Sequence, residues 1–411
     1  MKTILHCDIN NCFASIEMLR DPSLRGRAIA VCGDPSERRG IVLAKSEQAK
    51  RFGVQTGDAL WEAKQKCPHI VFVPPHYDLY VQYSHLVRRF YETLTPRVEP
   101  LGLDECWLDL TADTHRLGLS GLDLGNAIRK HVKSTFGLTI SVGVSFTRSF
   151  AKLGSDYKKP DAVTEFTYRN FKSTVWPLPA AALFGIGPAT ANKLSRFGIN
   201  TIGQLAQCDK SFIKSLLGKN GSFLWLCANG LDPSEIHPPH ELAPRRSVGH
   251  ATTLPQDLVS SDQLWPVFLR LATRVAETLR NEHFLARGIA LSVRDCLLQF
   301  HQYFYLMQNP TDTAQTLANL GFMVFQQRYA WKLPVRAIGI TAVHLESLHA
   351  PKQLELFSSD LPSPFTRPDP RTIEFSMAKL NRSFGREVIQ RAATLDVVRP
   401  HPTGFGRPDN S

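Results

Sequence analysis

The stretch V-E-P-L-G-L-D-E-C-W-L-D-L, residues 98–110, has the apolar residues of strands on both sides of a turn. Asp104 and Glu105 stand at that turn. An acidic pair between apolar strand residues costs free energy unless it binds a cation or another partner. Taken alone, such a pair is more often a solvated strand end, so the interpretation depends on the neighbouring motifs.

A further acidic residue, Asp8, ends the first apolar strand of the chain. Thr3–Asp8 predicts a short buried strand, and a helix is predicted from Asn10 to Arg20. Three carboxylates that converge from two adjacent strands suit a pair of Mg²⁺ ions, which require oxygen ligands. Two such ions can activate a 3′-hydroxyl and stabilise a departing pyrophosphate. The candidates for this role are Asp8, Asp104 and Glu105.

The composition is that of an ordinary folded protein with an excess of positive charge. The 411 residues allow two to four domains, and 43% of them are hydrophobic. Against 37 acidic residues stand 48 Lys and Arg, a net charge of +11. Positive charge favours polyanionic partners such as nucleic acids, although by itself it is weak evidence.

No segment of the sequence predicts export or a membrane span. The apolar stretch at the N-terminus is short and meets a charge at Asp8. No apolar run approaches the about 20 residues that a membrane-spanning helix needs. The eight cysteines are scattered, without a C-x-x-C pair, which argues against a zinc ribbon or a disulfide framework. We therefore expect a cytoplasmic protein with reduced thiols and no membrane partner.

The element pattern changes twice along the chain. Strand and helix patterns alternate up to about residue 165, which indicates an α/β or α+β domain, and the apolar spacing is helical over residues 166–235. From residue 247 the order strand, long helix, two strands, helix, strand predicts a separate small α+β domain. Near the C-terminus a further helix, which could dock or stay free, has on one face Ile373, Met377, Leu380 and Phe384.

Three ordered motifs resemble the signatures of the Y-family translesion DNA polymerases. H-C-D-I-N-N-C-F-A-S-I-E (6–17) resembles the family's opening, and residues 99–110 resemble its second signature. S-V-G-V-S-F-T-R-S-F-A-K-L-G-S-D-Y-K-K-P (141–160) resembles the third, a strand followed by a basic helix that ends in Lys-Pro. The resemblance implies a multidomain α+β fold, a right-hand polymerase. Its parts would be a palm (1–22 and 75–165), small fingers (23–74), a helical thumb (166–235), a linker (236–246), a little finger (247–346) and a tail (347–411).

Carried over to this sequence, the resemblance implies catalytic roles for the three carboxylates. Two Mg²⁺ ions would be held by Asp8, Asp104, Glu105 and the backbone carbonyl of Ile9. Phe13 falls at the family's steric gate, where a ring leaves no room for a ribose hydroxyl. Lys159 would contact the triphosphate, and Lys152 is a weaker candidate for the same role, because a solvated lysine explains it equally well.

The fingers depart from the family pattern. A-K-R-F-G-V (49–54) resembles the triphosphate-contacting helix, so Lys50 is predicted to bind the nucleotide, but arginine is usual at its position. Glu47 stands where tyrosine is common, and Ala44 where threonine is common. Lysine lacks the bidentate fork of arginine, so the fingers-side contacts stay open.

The implied DNA contacts lie in the thumb and the little finger. F-G-I-G-P-A-T-A-N-K-L (184–194) is similar to a helix-hairpin-helix, whose turn exposes backbone N–H groups to phosphate. The basic strands of the little finger would lie against the duplex phosphates. The predicted DNA-binding residues are Gly185, Gly187, Lys193, Arg245, Arg246, Arg287, Arg294 and Arg336.

Q-L-E-L-F (353–357) resembles the short peptide with which bacterial polymerases bind the sliding clamp. Leu354, Leu356 and Phe357 supply apolar side chains for a pocket, and Gln353 supplies a polar anchor. An ordinary strand or helix fragment is the alternative interpretation of these five residues.

These motifs bear on three possible functions. An active polymerase, expected as a monomer, would take primer–template DNA and deoxynucleoside triphosphates as partners. A catalytically inactive accessory relative would bind DNA and the clamp, but such relatives typically lose the three acidic residues. A nucleotidyl cyclase would use the same two-metal chemistry without a helix-hairpin-helix, a basic C-terminal domain or a clamp peptide. The motifs favour the polymerase.

Overall fold

The computed structural model describes residues 2–33, 40–238, 241, 245–350, 370–384 and 388–395. Its internal contacts divide the chain into an N-terminal unit that ends at Leu242 and a C-terminal unit that begins at Ala243. The two units are described separately below. Within the described ranges no helix is both long and apolar enough to span a bilayer.

The N-terminal unit begins with mixed strands and helices and ends with helices alone. In chain order its elements are β1 (Ile4–Ile9), α1 (Cys12–Arg20), β2 (Ile29–Cys32), β3 (Val42–Lys45), α2 (Glu47–Arg51), α3 (Leu60–Lys66), β4 (Val71–Val73), α4 (Tyr77–Leu94), β5 (Val98–Leu101), β6 (Glu105–Asp109), α5 (Thr111–Leu117), α6 (Gly121–Phe136), β7 (Ile140–Ser145), α7 (Arg148–Tyr157), β8 (Val163–Phe166), α8 (Phe171–Thr174), α9 (Pro188–Ser195), α10 (Ile202–Gln207) and α11 (Lys210–Ala228).

A five-stranded sheet in the order β5-β6-β1-β7-β8 forms the centre of this unit. The central strands β1 and β7 are buried along their whole length, including the polar residues His6 and Asp8 of β1. Leu5, Cys7 and Ile9 of β1 belong to a core that also contains residues of α1, α4 and α6. Since side chains alternate along a strand, His6 and Asp8 project to the opposite face.

Helix α7 lies against the His6 and Asp8 face of this sheet. The helix approaches β7 closely because two glycines meet there. A Cβ atom on Gly143 would stand 1.9 Å from the carbonyl oxygen of Ala151, and one on Gly154 would stand 2.9 Å from the Cα of Gly143. This close approach brings Lys152 and Ser155 to the acidic end of β1.

Two smaller cores flank the central sheet. Strands β3, β2 and β4 form a three-stranded sheet whose core, with α2 and α3, includes Ala30, Ala49 and Ala63. Helices α8 to α11 share a second core around Leu194, Leu205 and Leu224. The positive φ of 68° at Gly218 breaks α11 into two helical pieces.

The chain that follows α11 returns to the central sheet. The Asp232 carboxylate accepts hydrogen bonds from the backbone N–H and the hydroxyl of Ser149, in the first turn of α7, at 3.0 and 2.6 Å. Ile236 is buried in a cluster with Trp107 and Ala151. The first residues of the predicted linker 236–246 are therefore packed against the sheet unit.

The C-terminal unit has the element order expected from the sequence. Its four-stranded antiparallel sheet has the order β11-β10-β12-β9, and the core between the sheet and the two helices includes Phe268, Leu291, Phe325 and Ile340. The elements are β9 (Ser247–Leu258), α12 (Ser261–Asn281), β10 (Phe284–Asp295), β11 (Phe300–Thr311), α13 (Ala314–Arg328), β12 (Val335–Ser347) and the last helix, α14 (Pro370–Phe384).

Helix α14 docks on the C-terminal unit through its polar side. Glu374, only 5% exposed, accepts hydrogen bonds from the backbone N–H groups of Ala314 and Gln315 at the start of α13. It also forms ion pairs with Arg280 and Arg391 at 3.0 and 2.6 Å. The sequence left open whether this helix docks. Of its predicted apolar face, Met377 is partly buried, while Ile373, Leu380 and Phe384 are exposed.

Candidate active site

The two predicted acidic points meet at one end of the central sheet. Asp8 and Glu105 are directly opposite each other in the antiparallel pairing of β1 with β6. Asp104 lies in the turn just before β6, and its carbonyl accepts a hydrogen bond of 3.0 Å from the backbone N–H of Ile9. Asp8 is 5% exposed. The paired strands β1 and β6 and the turn before β6 thus bring three acidic residues to one end of the sheet.

Two lysines that follow in sequence neutralise part of this charge. The Lys159 ammonium lies 2.7 Å from Oδ2 of Asp8, and that of Lys152 lies 3.1 Å from Oε1 of Glu105. Both ammonium groups also contact Asp156 at 2.8 Å. The side chain of Lys152 is 11% exposed, so it is part of the acidic cluster and not a solvated lysine.

The pKa values show how far burial opposes ionisation here. Burial raises the pKa of Asp8 to about 7, although the charge of Lys159 acts in the opposite direction. Burial and the charge of Glu105 raise the pKa of Asp104 to about 6. Burial acts on Glu105 as well, but contacts with His6 and Lys152 outweigh it and lower its pKa to about 2.

The donor set fits a hard divalent cation. Carboxylates that meet at one end of the sheet are the kind of oxygen ligands that Mg²⁺ binds. Burial disfavours the ionised forms of Asp8 and Asp104, as their raised pKa values show, and a bound cation would stabilise those forms. Within the described residues, however, no three His, Cys, Asp or Glu side chains form a ready metal-ligand group. Instead, lysine ammonium groups contact Asp8 and Glu105.

Phe13 lies in the first turn of α1, the helix that follows β1. Its ring is 9% exposed and stacks on Tyr80, and it meets the edge of Tyr77. The Tyr80 hydroxyl donates to the buried carboxylate of Glu17 and accepts from the backbone N–H of His76. The predicted gate is therefore supported by a hydrogen-bonded aromatic residue.

A cavity of about 190 Å³ opens next to the acidic cluster. Lys50, predicted to bind the nucleotide, lies on its wall together with Lys159. Glu47 contacts Lys50 at 3.9 Å and accepts a hydrogen bond of 3.4 Å from the Asn11 side chain. The full lining is Asn10, Asn11, Lys45, Glu47, Lys50, Lys159 and Pro160.

Lys45 is a wall residue that the sequence analysis missed. It is the last residue of β3, and burial, together with the charge of Lys50, lowers its pKa. Its position one residue after Ala44, which was compared with the family pattern, could have drawn attention to it. A cavity with three lysines beside three carboxylates suits a ligand that carries both phosphates and a cation.

Comparison with known proteins identifies the family of the chain. Two family models match the chain, the impB/mucB/samB family over residues 7–156 and its C-terminal domain over residues 245–356. A DNA polymerase IV of Acetivibrio thermocellus is 38% identical over 394 residues, which cover 96% of this chain and 98% of the relative. The DNA polymerase IV 1 of Bacillus subtilis is 34% identical over 96% of this chain and 93% of the relative.

The chain belongs to the Y family of DNA polymerases. The fold agrees, since a chimeric Y-family DNA polymerase of known structure aligns with a TM-score of 0.75 at 18% identity. That alignment covers 84% of this chain and 99% of the chimera. As a Y-family member the chain is a DNA-directed DNA polymerase by class.

The thumb motif of this Y-family chain has the predicted turn. Gly185 has a φ of 93°, and Gly187 is the N-cap of α9, in which Pro188 is the first residue. The Lys193 ammonium donates to the carbonyl oxygen of Leu216 at 2.7 Å, where the first piece of α11 ends. Lys193 therefore links α9 to the first piece of α11, and its predicted DNA contact would require this hydrogen bond to be exchanged.

The predicted arginines of the C-terminal unit have different surroundings. Arg287 forms an ion pair with Glu346 and donates to the carbonyl oxygen of Gln308, and Arg245 lies 3.2 Å from Glu282. Arg246 and Arg294 are exposed, and Arg336 is half-buried. Their contacts with DNA stay predictions. The predicted clamp peptide, Gln353–Phe357, lies outside the described residues.

Proposed function

We propose that this chain extends a primer along a DNA template in translesion synthesis. The observation that carries the proposal is the meeting of Asp8, Asp104 and Glu105 at the sheet end beside a cavity lined by Lys50 and Lys159. The three carboxylates suit divalent cations, and the two lysines suit a triphosphate. Phe13, five residues after Asp8, suits selection of a deoxyribose.

In this proposal the chain's own residues prepare an in-line phosphoryl transfer. Two Mg²⁺ ions, when bound, would favour ionisation of the primer 3′-hydroxyl and neutralise the leaving pyrophosphate. Asp8 and Asp104, with the Ile9 carbonyl, would hold both ions, and Glu105 would orient the ion nearer the primer. Lys159 would leave Asp8 and turn toward the triphosphate, where its charge offsets that of the leaving group.

The proposed DNA contacts use backbone N–H groups and positively charged side chains, and none of them reads the base sequence. The turn at Gly185 and Gly187 would offer N–H groups to a phosphate. The exposed Arg246 and Arg294 would add contacts whose strength falls as salt rises. We propose that the protein does this as a monomer in the cytoplasm.

The test of the chemistry is primer extension on an undamaged template with Mg²⁺ and four deoxynucleotides. Wild type should extend the primer, and the double variant Asp104→Ala, Glu105→Ala should not. The matched control is Asp78→Ala with Glu92→Ala, two exposed acids on α4, and it should extend normally. Wild-type protein that is folded and binds DNA but does not extend the primer would instead support an accessory DNA-binding role.

We further propose that Gln353, Leu354, Leu356 and Phe357 bind the bacterial sliding clamp. The support is the sequence pattern and its place after the last predicted domain. Alanine at Gln353, Leu356 and Phe357 should leave basal extension unchanged and remove stimulation by the clamp. Equal stimulation of this variant and the wild type would show that the clamp binds elsewhere.

A further inference from the structure

His6 lies on β1 two residues before Asp8, on the same face of the sheet. Its side chain is fully buried, and its ring meets the ring of Trp107 edge-on with 4.9 Å between centroids. Nδ1 lies 2.8 Å from the hydroxyl of Ser155 on α7. Both neighbours restrict the ring to one orientation.

The other ring nitrogen faces the acidic cluster. Nε2 of His6 lies 3.3 Å from Oε2 of Glu105. Among the described residues it has no fully formed hydrogen bond, although it is buried. A buried polar nitrogen without a hydrogen bond costs free energy. A hydrogen bond from Nε2 to the Glu105 carboxylate would remove that cost.

The proton on the ring must be at Nε2. With its proton at Nδ1 alone, the neutral ring would direct the Nε2 lone pair at a carboxylate oxygen, which is repulsive. The neutral Nε2–H form and the imidazolium both present a proton to Oε2. In the neutral form the Ser155 hydroxyl donates to Nδ1 instead of to the Lys152 carbonyl, which is 2.8 Å away. That carbonyl lies inside α7 and still accepts a hydrogen bond from a backbone N–H of the helix.

The two oxygens of Glu105 therefore have partners of different kinds. Oε1 contacts the Lys152 ammonium, which has a flexible stem and a second partner in Asp156. Oε2 faces His6, which packing and Ser155 hold in place. A cation that enters the site can displace Lys152 from Oε1, but His6 stays at Oε2.

We propose that His6 is a positioning residue that holds Oε2 of Glu105 through its Nε2–H, so that Oε1 is the oxygen presented to a divalent cation. Ser155 fixes the ring for this task. The inference rests on the proposed role of Glu105 as a metal ligand. Groups that orient a metal ligand in this way typically change metal affinity about 10- to 100-fold when they are removed.

The test compares two amides at position 6. In His6→Gln the side-chain N–H₂ reaches the place of Nε2, whereas in His6→Asn it reaches only that of Nδ1. Mn²⁺ binding is measured by electron paramagnetic resonance, on the protein alone and with template, dideoxy-terminated primer and the next nucleotide, so that no turnover occurs. We expect about 10-fold weaker Mn²⁺ binding in His6→Asn and binding within about 3-fold of wild type in His6→Gln.

Thermal unfolding of each variant separates positioning from folding. If His6→Asn does not fold, Ser155→Ala decides, because it frees the ring without changing the sheet, and it should weaken Mn²⁺ binding several-fold. Equal Mn²⁺ affinity in wild type, His6→Asn and Ser155→Ala would overturn the proposal, as would an equal loss in both amide variants. Failure of wild type to extend primers would contradict the proposed function, while the Mn²⁺ titrations would still test His6.

Discussion

The ring of Phe13 lies flat on that of Tyr80, with 4.2 Å between the centroids and 10° between the planes. Tyr80 cannot easily move away, because its hydroxyl is held by Glu17 and by the backbone N–H of His76. Stacked rings of this kind contribute about 0.5–1.5 kcal/mol beyond their burial. We therefore expect the predicted gate, Phe13, to keep its position when a nucleotide contacts it.

Phe13→Ala should admit ribonucleotides, because the space that the ring occupies becomes available to a 2′-hydroxyl. We expect discrimination against ribonucleotides to fall by at least about 10-fold, equivalent to ~1.4 kcal/mol in the transition state. The measurement is single-turnover incorporation with matched deoxynucleotide and ribonucleotide triphosphates. Leu86→Ala, at an exposed position of α4, is the control and should discriminate as well as wild type. Unchanged discrimination in Phe13→Ala would refute the gate assignment.

The requirement for Mg²⁺ should increase as the pH falls. A cation binds the ionised carboxylates, and burial raises the pKa of Asp8 to about 7 and contributes to a pKa of about 6 for Asp104. Below pH 7 protons therefore compete with Mg²⁺, and the concentration that gives half-maximal extension should rise up to about 10-fold per pH unit. Extension assays with Mg²⁺ titrated at pH 6, 7 and 8 measure this. The same half-maximal concentration at all three pH values would contradict the competition.

Asp104→Asn should stabilise the metal-free protein while it removes activity. The folded-state pKa of Asp104 is raised from 3.8 to about 6, so its ionised form opposes folding at neutral pH. Because folding raises the pKa of this acid, the ionised carboxylate destabilises the folded protein fully above pH 6, and the destabilisation disappears as the pH falls toward 3.8. We expect a gain of about 1–3 kcal/mol at pH 8 in EDTA and a smaller gain at pH 5, measured by thermal unfolding. A loss of stability at pH 8 would show that Asp104 is compensated without a metal.

Lys50→Ala should raise the KM for the incoming nucleotide more than it lowers kcat, because the cavity wall loses a phosphate partner that acts in the ground state. One charge-assisted contact is worth about 1.5 kcal/mol, which predicts about a 10-fold rise in KM. Lys66→Ala is the matched control, since Lys66 pairs with Asp58 away from the cavity wall. A similar KM in both variants would exclude Lys50 from the nucleotide site.

The sequence predicted those parts of the site that one strand or one turn places. Asp8 lies near the end of β1 and Glu105 begins β6, so the antiparallel pairing of the two strands brings them together, whereas Phe13 was assigned through the family resemblance. His6 was missed because its partner Ser155 lies 149 residues away. Lys45 was missed as a wall residue of the cavity, and Lys152 was only a weaker candidate for the triphosphate contact. The solvent exposure of a lysine depends on the tertiary fold.

Long-range contacts also explain what the sequence left undecided. Lys193 and Arg287 look like free cations in the sequence, yet each has an intramolecular partner in the fold. The apolar positions of α14 left its docking open, and in the fold the buried Glu374 makes the contacts that dock it. A buried acid that caps a helix 60 residues away has no signature in the sequence.

Glu374→Ala should release α14 from the C-terminal unit. The variant leaves the N–H groups of Ala314 and Gln315 without their acceptor and leaves Arg280 with one charged partner fewer. Removing one partner of a buried ion pair costs about 3–5 kcal/mol, but the helix can escape part of that cost by undocking. We therefore expect local loss of protection from hydrogen exchange in α14 and in the first turn of α13, with little change in β10 or β12.

Thr372→Ala, at an exposed position of α14, is the control and should keep wild-type protection. Unchanged exchange in Glu374→Ala would mean that the remaining contacts of the helix, including the ion pair of Arg371 with Asp312 at 2.8 Å, hold it without the cap.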